Sequence, residues 1–162
     1  SKLDAENLVM SSRCEWAIAR TVLVYGITPG MSRSNIILWV KENLENGNPL
    51  NIVDDQWRTP TLAEDLAMGC YLIAKKRAQG IFNISGEEML TPYQMAMKAA
   101  QYFNLDQSLI SKVDASTFSQ PAKRPPKTGF VIDKAKEILG FNPSGFDQGI
   151  RFLDQQIRFQ NF

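Results

Sequence analysis

Val53-Asp54-Asp55-Gln56-Trp57-Arg58-Thr59-Pro60-Thr61-Leu62-Ala63-Glu64-Asp65-Leu66-Ala67 is the stretch on which the reading of this chain turns. It joins a strand end to a polar turn and then to a helix. Residues 50–53, directly upstream, form a short apolar run that predicts a strand. Residues 54–60 carry the charged, polar and proline residues of a turn. Thr61 suits a helix N-cap, and Glu64 three residues later completes the pattern of a capping box. Leu62, Leu66, Cys70 and Ile73 then recur at helical spacing, which predicts an amphipathic helix running to about Arg77.

Outward from this segment, strand and helix signals alternate. Upstream, residues 3–12 predict a helix with Ala5, Leu8 and Val9 on one face. Residues 16–25 (WAIARTVLVY) are apolar almost throughout, as expected of a parallel strand buried on both faces. Arg20 interrupts that run and requires a polar partner. Residues 26–34 hold the glycines and proline of a loop. A helix over 35–45 follows, with Ile36, Ile37, Val40 and Leu44 inward, and Asn46-Gly47-Asn48-Pro49 stops it. Downstream, residues 80–84 predict a buried strand. Thr91-Pro92 places an N-cap before a proline at the first helical position, opening a helix to about Phe103 with Tyr93, Ala96, Ala100 and Phe103 inward. Residues 109–113 suit a strand and 119–129 a proline- and lysine-rich loop. Residues 133–139 form a short helix ended by Gly140, and Phe146, Ile150, Leu153 and Ile157 mark a last amphipathic helix. The fold class is therefore α/β, with too few strands for a complete doubly wound sheet.

Composition narrows the chemistry. A chain of 162 residues can bury one ordinary core. Eighteen basic against 17 acidic residues leave +1, which gives no electrostatic ground for a nucleic-acid or membrane partner. No apolar run approaches the roughly 20 residues of a membrane span. Cys14 and Cys70 suit buried free thiols in a reducing compartment, and the expected location is cytoplasmic. The absence of histidine removes Ser-His, Cys-His and His-metal chemistry, and no carboxylate cluster has metal-ligand spacing. Proton transfer here falls to lysine, tyrosine or a carboxylate.

Five segments and their order carry a resemblance. Ser1-Lys2-Leu3-Asp4-Ala5-Glu6 resembles the Ser-Lys-x-x-x-Glu that follows the catalytic tyrosine of extended short-chain dehydrogenases, and Arg20-Thr21-Val22-Leu23-Val24-Tyr25-Gly26 resembles their next strand end, with threonine where the family usually has proline. Asp55, Gln56, Pro60 and Thr61 match the Asp-Gln-x-Gly-x-Pro-Thr of the dTDP-4-dehydrorhamnose reductases, with Arg58 in place of the glycine. Arg58 and Asp65 instead keep the seven-residue spacing of the wider superfamily. Ala122-Lys123-Arg124-Pro125 and the later Leu139-Gly140-Phe141-Asn142-Pro143 resemble the family's late Arg-Pro turn and its Leu-Gly-aromatic-x-Pro ending.

The resemblance implies the C-terminal part of a Rossmann-type extended short-chain dehydrogenase with a small mixed α/β substrate-binding lobe. Residues 1–30 would finish the sheet and 31–162 would form mostly the lobe. Lys2 would be the motif lysine, lowering the tyrosine pKa and holding the nicotinamide ribose beside Thr21. That tyrosine would stand three residues before Ser1, in an N-terminal Rossmann portion outside this chain. Asn35, Arg58 and Arg124 would bind the phosphates of a dTDP-sugar or other nucleotide sugar. Each has a plainer reading: an exposed lysine for Lys2, an N-cap for Asn35, a surface arginine for Arg58, a solvated basic loop for Arg124. The intact parent would use NADP or NAD to reduce a 4-keto-6-deoxysugar. This chain, which has no Gly-x-x-Gly-x-x-Gly, is expected to hold no cofactor tightly and to be inactive alone. The rival readings are a sugar-nucleotide epimerase or dehydratase, favoured by the Arg58–Asp65 spacing, and a non-catalytic regulatory module that binds a partner enzyme. A homo-oligomer is expected from the incomplete sheet. Trp57, in the turn, is the expected exposed ring, and Trp39 and Tyr93 suit the core.

Overall fold

The strands pair two by two, all in parallel, in a computed structural model that describes residues 1–28, 30, 34–117 and 125–160. Parts of both expected loops, 26–34 and 119–129, lie outside the described residues, and so does Arg124. β1 (Ala17–Arg20) pairs with β6 (Gly80–Asn83), and β2 (Val24–Tyr25) with β5 (Thr61–Leu62). β3 (Leu50–Val53) pairs with β7 (Ile110–Val113), and β4 (Trp57–Arg58) with β8 (Lys127–Thr128). Parallel partners require long crossovers, and helices supply them. They are α2 (Ile36–Glu45), α3 (Ala63–Lys75) and α4 (Pro92–Tyr102), preceded by α1 (Lys2–Met10) and followed by α5 (Phe146–Gln160).

The run expected as one buried strand over 16–25 is two strands. β1 ends at Arg20 and β2 begins at Val24, with Leu23 between them in the left-handed region at φ 44°. The break is where the chain changes partner, from β6 to β5. β1 is half-buried rather than buried on both faces, since among the described residues only β6 flanks it. Arg20 finds its polar partner in Glu6 of α1, through a two-pronged ion pair.

Two apolar clusters hold the elements. In the larger, Ile37, Val40 and Leu44 of α2 meet Met95, Ala96, Ala99 and Ala100 of α4, Leu50 and Ile52 of β3, and Phe146, Ile150 and Leu153 of α5. The expected inward positions of α2, α4 and α5 are thus largely those observed, with Ile36, Tyr93 and Phe103 only partly buried against that cluster. The smaller cluster joins Ile73 of α3, Phe82 of β6, Ile84, Ile132, Leu139 and Phe141. Its residues 135–139 make a π-helical turn closed by Gly140 at φ 68°. Gly69, not Cys70, faces this core: a Cβ at Gly69 would lie 2.4 Å from Ile84 Cγ2. Cys70 and Cys14 are both exposed, contrary to the expectation of buried thiols. The helical stripe of α3 advances by three at that point instead of four, and both spacings lie on one helix face.

The helix starts follow sequence with one exception. Asn35 Oδ1 accepts from the backbone of Ile37 (3.0 Å) and Leu38 (3.1 Å). Thr91 and Gln94 form a reciprocal capping box in front of α4. Thr61 does not cap α3; Leu62 holds that position without a side-chain bond. Thr61 lies in β5, and its hydroxyl goes to the Val22 carbonyl at 2.8 Å. A backbone acceptor brought from 39 residues away outcompetes the local cap.

α1 forms as expected but buries none of its residues, leaving Leu3 65% and Leu8 73% exposed. Such apolar exposure favours association. Light scattering across a concentration series is expected to show self-association that the double substitution Leu3→Lys, Leu8→Lys abolishes. A wild-type chain that stays monomeric at high concentration would contradict this.

Candidate functional site

The turn that opens the sequence reading forms one end of a cleft of ≈ 790 Å³, within the range of small-molecule sites. Asn35, Ile36 and Trp39 line it from the start of α2, and Asn51, Ile52 and Val53 line it from β3. Leu23, Val24 and Tyr25 close one side, and Gln56, Arg58 and Pro60 the end. β7 occupies one edge of β3, and among the described strands nothing pairs with the other. The lining is mainly apolar, and Arg58 is its charged member among the described residues.

Arg58 is set in place by its backbone. Its N–H donates to Leu90 O (2.9 Å), its carbonyl accepts from Leu90 N (2.8 Å), and β8 pairs alongside. The guanidinium reaches back over the turn. Nη2 donates to Gln56 Oε1 (2.8 Å), and Nη1 donates to the carbonyls of Trp57 (2.7 Å) and Pro125 (3.2 Å). Gln56, 7% exposed, is thereby oriented with its acceptor oxygen spent on Arg58, and its amide NH₂ is the donor end. Gln56 appeared in the sequence as part of a motif without a role; its burial in the cleft wall is a tertiary fact.

Of the sequence-predicted residues, Asn35 and Arg58 share this cleft. Asn35 also donates from Nδ2 to Gly26 O at 2.8 Å, which fixes the loop after β2 to the start of α2. Lys2 and Thr21 lie elsewhere, together, on a hollow of ≈ 430 Å³ that they share with Glu6, Arg20 and Phe130. Glu6 stands one helical turn after Lys2, so the Glu6–Arg20 ion pair ties the helix of Lys2 to the strand end that carries Thr21. Arg124 lies outside the described residues, next to Pro125, whose carbonyl accepts from Arg58.

The ring expected to be exposed in the turn, Trp57, is exposed, but it is not part of the cleft lining. Trp39, expected in the core, is exposed at the cleft wall. Its position four residues after Asn35 on one helix face was the available signal. Tyr25 lines the cleft with a phenol pushed above its ordinary pKa, first by burial and then by the nearby carboxylates of Asp65, Glu88, Glu64 and Asp147. It therefore stays a neutral hydroxyl at physiological pH. Among the described residues no group of carboxylates and cysteines could hold a metal, and no helix is long and apolar enough to cross a membrane.

Parallel strand pairs joined by helices make an α/β fold, with a cleft beside the turn of residues 54–60. Residues 1–158 match the family model described as the RmlD substrate binding domain, and the chain belongs to that family. The fold is that of dTDP-4-dehydrorhamnose reductases. The Clostridium acetobutylicum protein superposes with a TM-score of 0.85 at 21% identity, covering 97% of this chain and 54% of that one. The Bacillus anthracis protein, in complex with NADP, superposes with a TM-score of 0.84 at 20% identity, covering 96% of this chain and 53% of that one. In sequence the chain is 30% identical to methionine adenosyltransferase 2 subunit beta of Mus musculus over 157 residues, 93% of this chain and 46% of the relative. The chain thus spans about half the length of the relatives it matches.

Asp54, at the head of the turn, gives a stability test. Its carboxylate accepts from Thr91 Oγ1 at 2.5 Å and pairs with Lys112 at 2.9 Å, joining β3, β7 and the cap of α4. Burial pushes its pKa up, but the Thr91 hydroxyl and Lys112 ammonium outweigh this and hold it below the usual carboxylate value. A depressed folded pKa stabilises above the unfolded value, about 3.9, and the gain is lost as pH falls through the folded pKa. Asp54→Asn is expected to cost about 1–2 kcal/mol at pH 7. In urea unfolding the gap from wild type should narrow as pH falls below the unfolded value and through the lowered folded pKa. A gap independent of pH would refute the assignment.

Proposed function

We propose that this chain is the substrate-binding part of an NAD(P)H-dependent reductase acting on the 4-keto group of a dTDP-activated 6-deoxysugar. The observation that carries the reading is the convergence of Asn35, Arg58 and β3 on one cleft from three separate parts of the sequence. A diphosphate suits the Arg58 end, where the guanidinium brings positive charge to the cleft lining. By the family resemblance, Arg124 would add a second cation. Asn35 stands at the start of α2, where helix amides favour an anion. The β3 edge without a strand partner would offer backbone donors and acceptors to the pyrimidine.

The Lys2–Thr21 hollow suits the ribose side of a nicotinamide nucleotide, because an ammonium and a hydroxyl both match sugar hydroxyls. The bound nucleotide would supply hydride. Lys2 would hold the ribose and favour proton delivery from a tyrosine upstream, while Glu6 and Arg20 fix the helix that carries it. Domain organisation follows the same reading, with residues 1–30 finishing the Rossmann-type sheet and the remainder forming mostly the substrate lobe in a cytoplasmic homo-oligomer.

Calorimetric titration with dTDP tests the cleft. Arg58→Ala is expected to weaken binding by roughly 1.5–3 kcal/mol, the range for hydrogen bonds to charged groups, and Arg58→Lys to restore only part. Wild-type affinity in Arg58→Ala would remove the diphosphate assignment.

A second reading rests on the 30% identity to methionine adenosyltransferase 2 subunit beta. It makes the chain a module that binds a partner enzyme, with the exposed α1 surface as one point of attachment. This reading expects co-elution with a methionine adenosyltransferase in size-exclusion chromatography, lost in the Leu3→Lys, Leu8→Lys variant. Separate elution would leave the reductase reading alone.

A further inference from the structure

We infer that Trp39 is the stacking platform for the base of the bound nucleotide and so a specificity-determining residue of the cleft; this rests on the nucleotide-sugar reading above. Three observations carry it. Trp39 lines the cleft on the same face of α2 as Asn35, one turn further along. The hydrophobic packing of α2 is complete without it: Ile37 and Val40 are 0% exposed and Leu44 5%, while Trp39 is 39% exposed. The same cleft is lined by Asn51, Ile52 and Val53 of β3, whose edge away from β7 has no strand partner among the described residues.

A large indole left part-wet beside a cleft gains most by covering its face with a flat apolar ligand. The residues around it decide which flat ligand. With Trp39 and β3 lining one cleft, a planar heterocycle bound there has a π-face for the indole and polar edges for the strand. A sugar ring has no π-face to offer. Arg58, at the end of the same cleft, suits the phosphates attached to such a base. Stacking tolerates any base, so Trp39 would set the preference for a nucleotide over a bare phosphosugar, and the β3 edge would choose among bases.

The test uses the 162-residue chain and two probes: dTDP, which carries a base, and inorganic pyrophosphate, which does not. Trp39→Ala is expected to weaken dTDP binding on the order of tenfold, within the span that stacking losses give. Trp39→Phe should recover part of the loss, and Trp39→Leu, which keeps apolar area without a large π-face, should recover little. Pyrophosphate binding should be the same in wild type and all three variants, yet fall in Arg58→Ala. On dTDP addition, tryptophan fluorescence should change in wild type, and most of that change should vanish in Trp39→Phe. Circular dichroism and urea unfolding close to wild type would show that the core of α2 is intact. Trp39→Ala binding dTDP as wild type does, while Arg58→Ala loses it, overturns this inference and leaves the nucleotide-sugar reading standing. No binding of dTDP by wild type overturns both.

Discussion

Thr61 sits where three separate segments meet, and the cleft depends on how its polar groups are satisfied. It is fully buried, so each of those groups needs a partner inside the protein. Its hydroxyl donates to Val22 O at 2.8 Å and accepts from Gly86 N at 3.3 Å, and its own N–H donates to Leu23 O at 3.0 Å. Those bonds hold the strand end of residues 22–25 beside the turn of residues 54–60. The same approach puts the Pro60 carbonyl so near Gly86 that a Cβ there would come within 2.0 Å, which accounts for the glycine. Without this junction the Tyr25 wall and the Arg58 end of the cleft have no fixed relation.

The cleft is built from edges rather than from one element. β2, β4 and β5 are each two residues long, too short to stand alone. Their geometry comes from what covers them: Leu90 bonds both backbone groups of Arg58, Pro126 accepts from Trp57 N, and α4 and α5 pack behind. α5 is in turn held at its start by side chains of distant residues. Asp65 accepts from Ser144, and Glu88 accepts from the N–H of Phe146, both near a helix N-terminus that favours negative charge. The carboxylates that raise the Tyr25 pKa are therefore engaged in holding the fold around it.

Two separate hollows carry the sequence-predicted residues that the structure describes. Asn35 and Arg58 meet at the larger, and Lys2 and Thr21 at the smaller. The strand end of residues 20–25 runs between them, with Thr21 on one and Leu23, Val24 and Tyr25 on the other. The positive φ of Leu23 marks the point at which the chain leaves β6 for β5. That bend lets one short segment serve both hollows.

Much of this was legible in sequence because it is local. The cap of Asn35, the Thr91–Gln94 box, the stops at Asn46 and Gly140 and the inward faces of α2 and α5 follow from side chains within a turn or two of one another. The α/β class and the family followed from the order of such segments. Tertiary structure alone decided the rest, because several residues had two satisfactory local roles and a distant partner chose between them. Thr61 had a helix to cap and took the Val22 carbonyl 39 residues away. Gly69 rather than Cys70 met the core because Ile84 stood against it. Trp39 had the spacing of a core residue and was left at the cleft, since Ile37, Val40 and Leu44 already filled the space under α2. Periodicity states which residues share a helix face, but what that face meets is set by chain segments far away in the sequence.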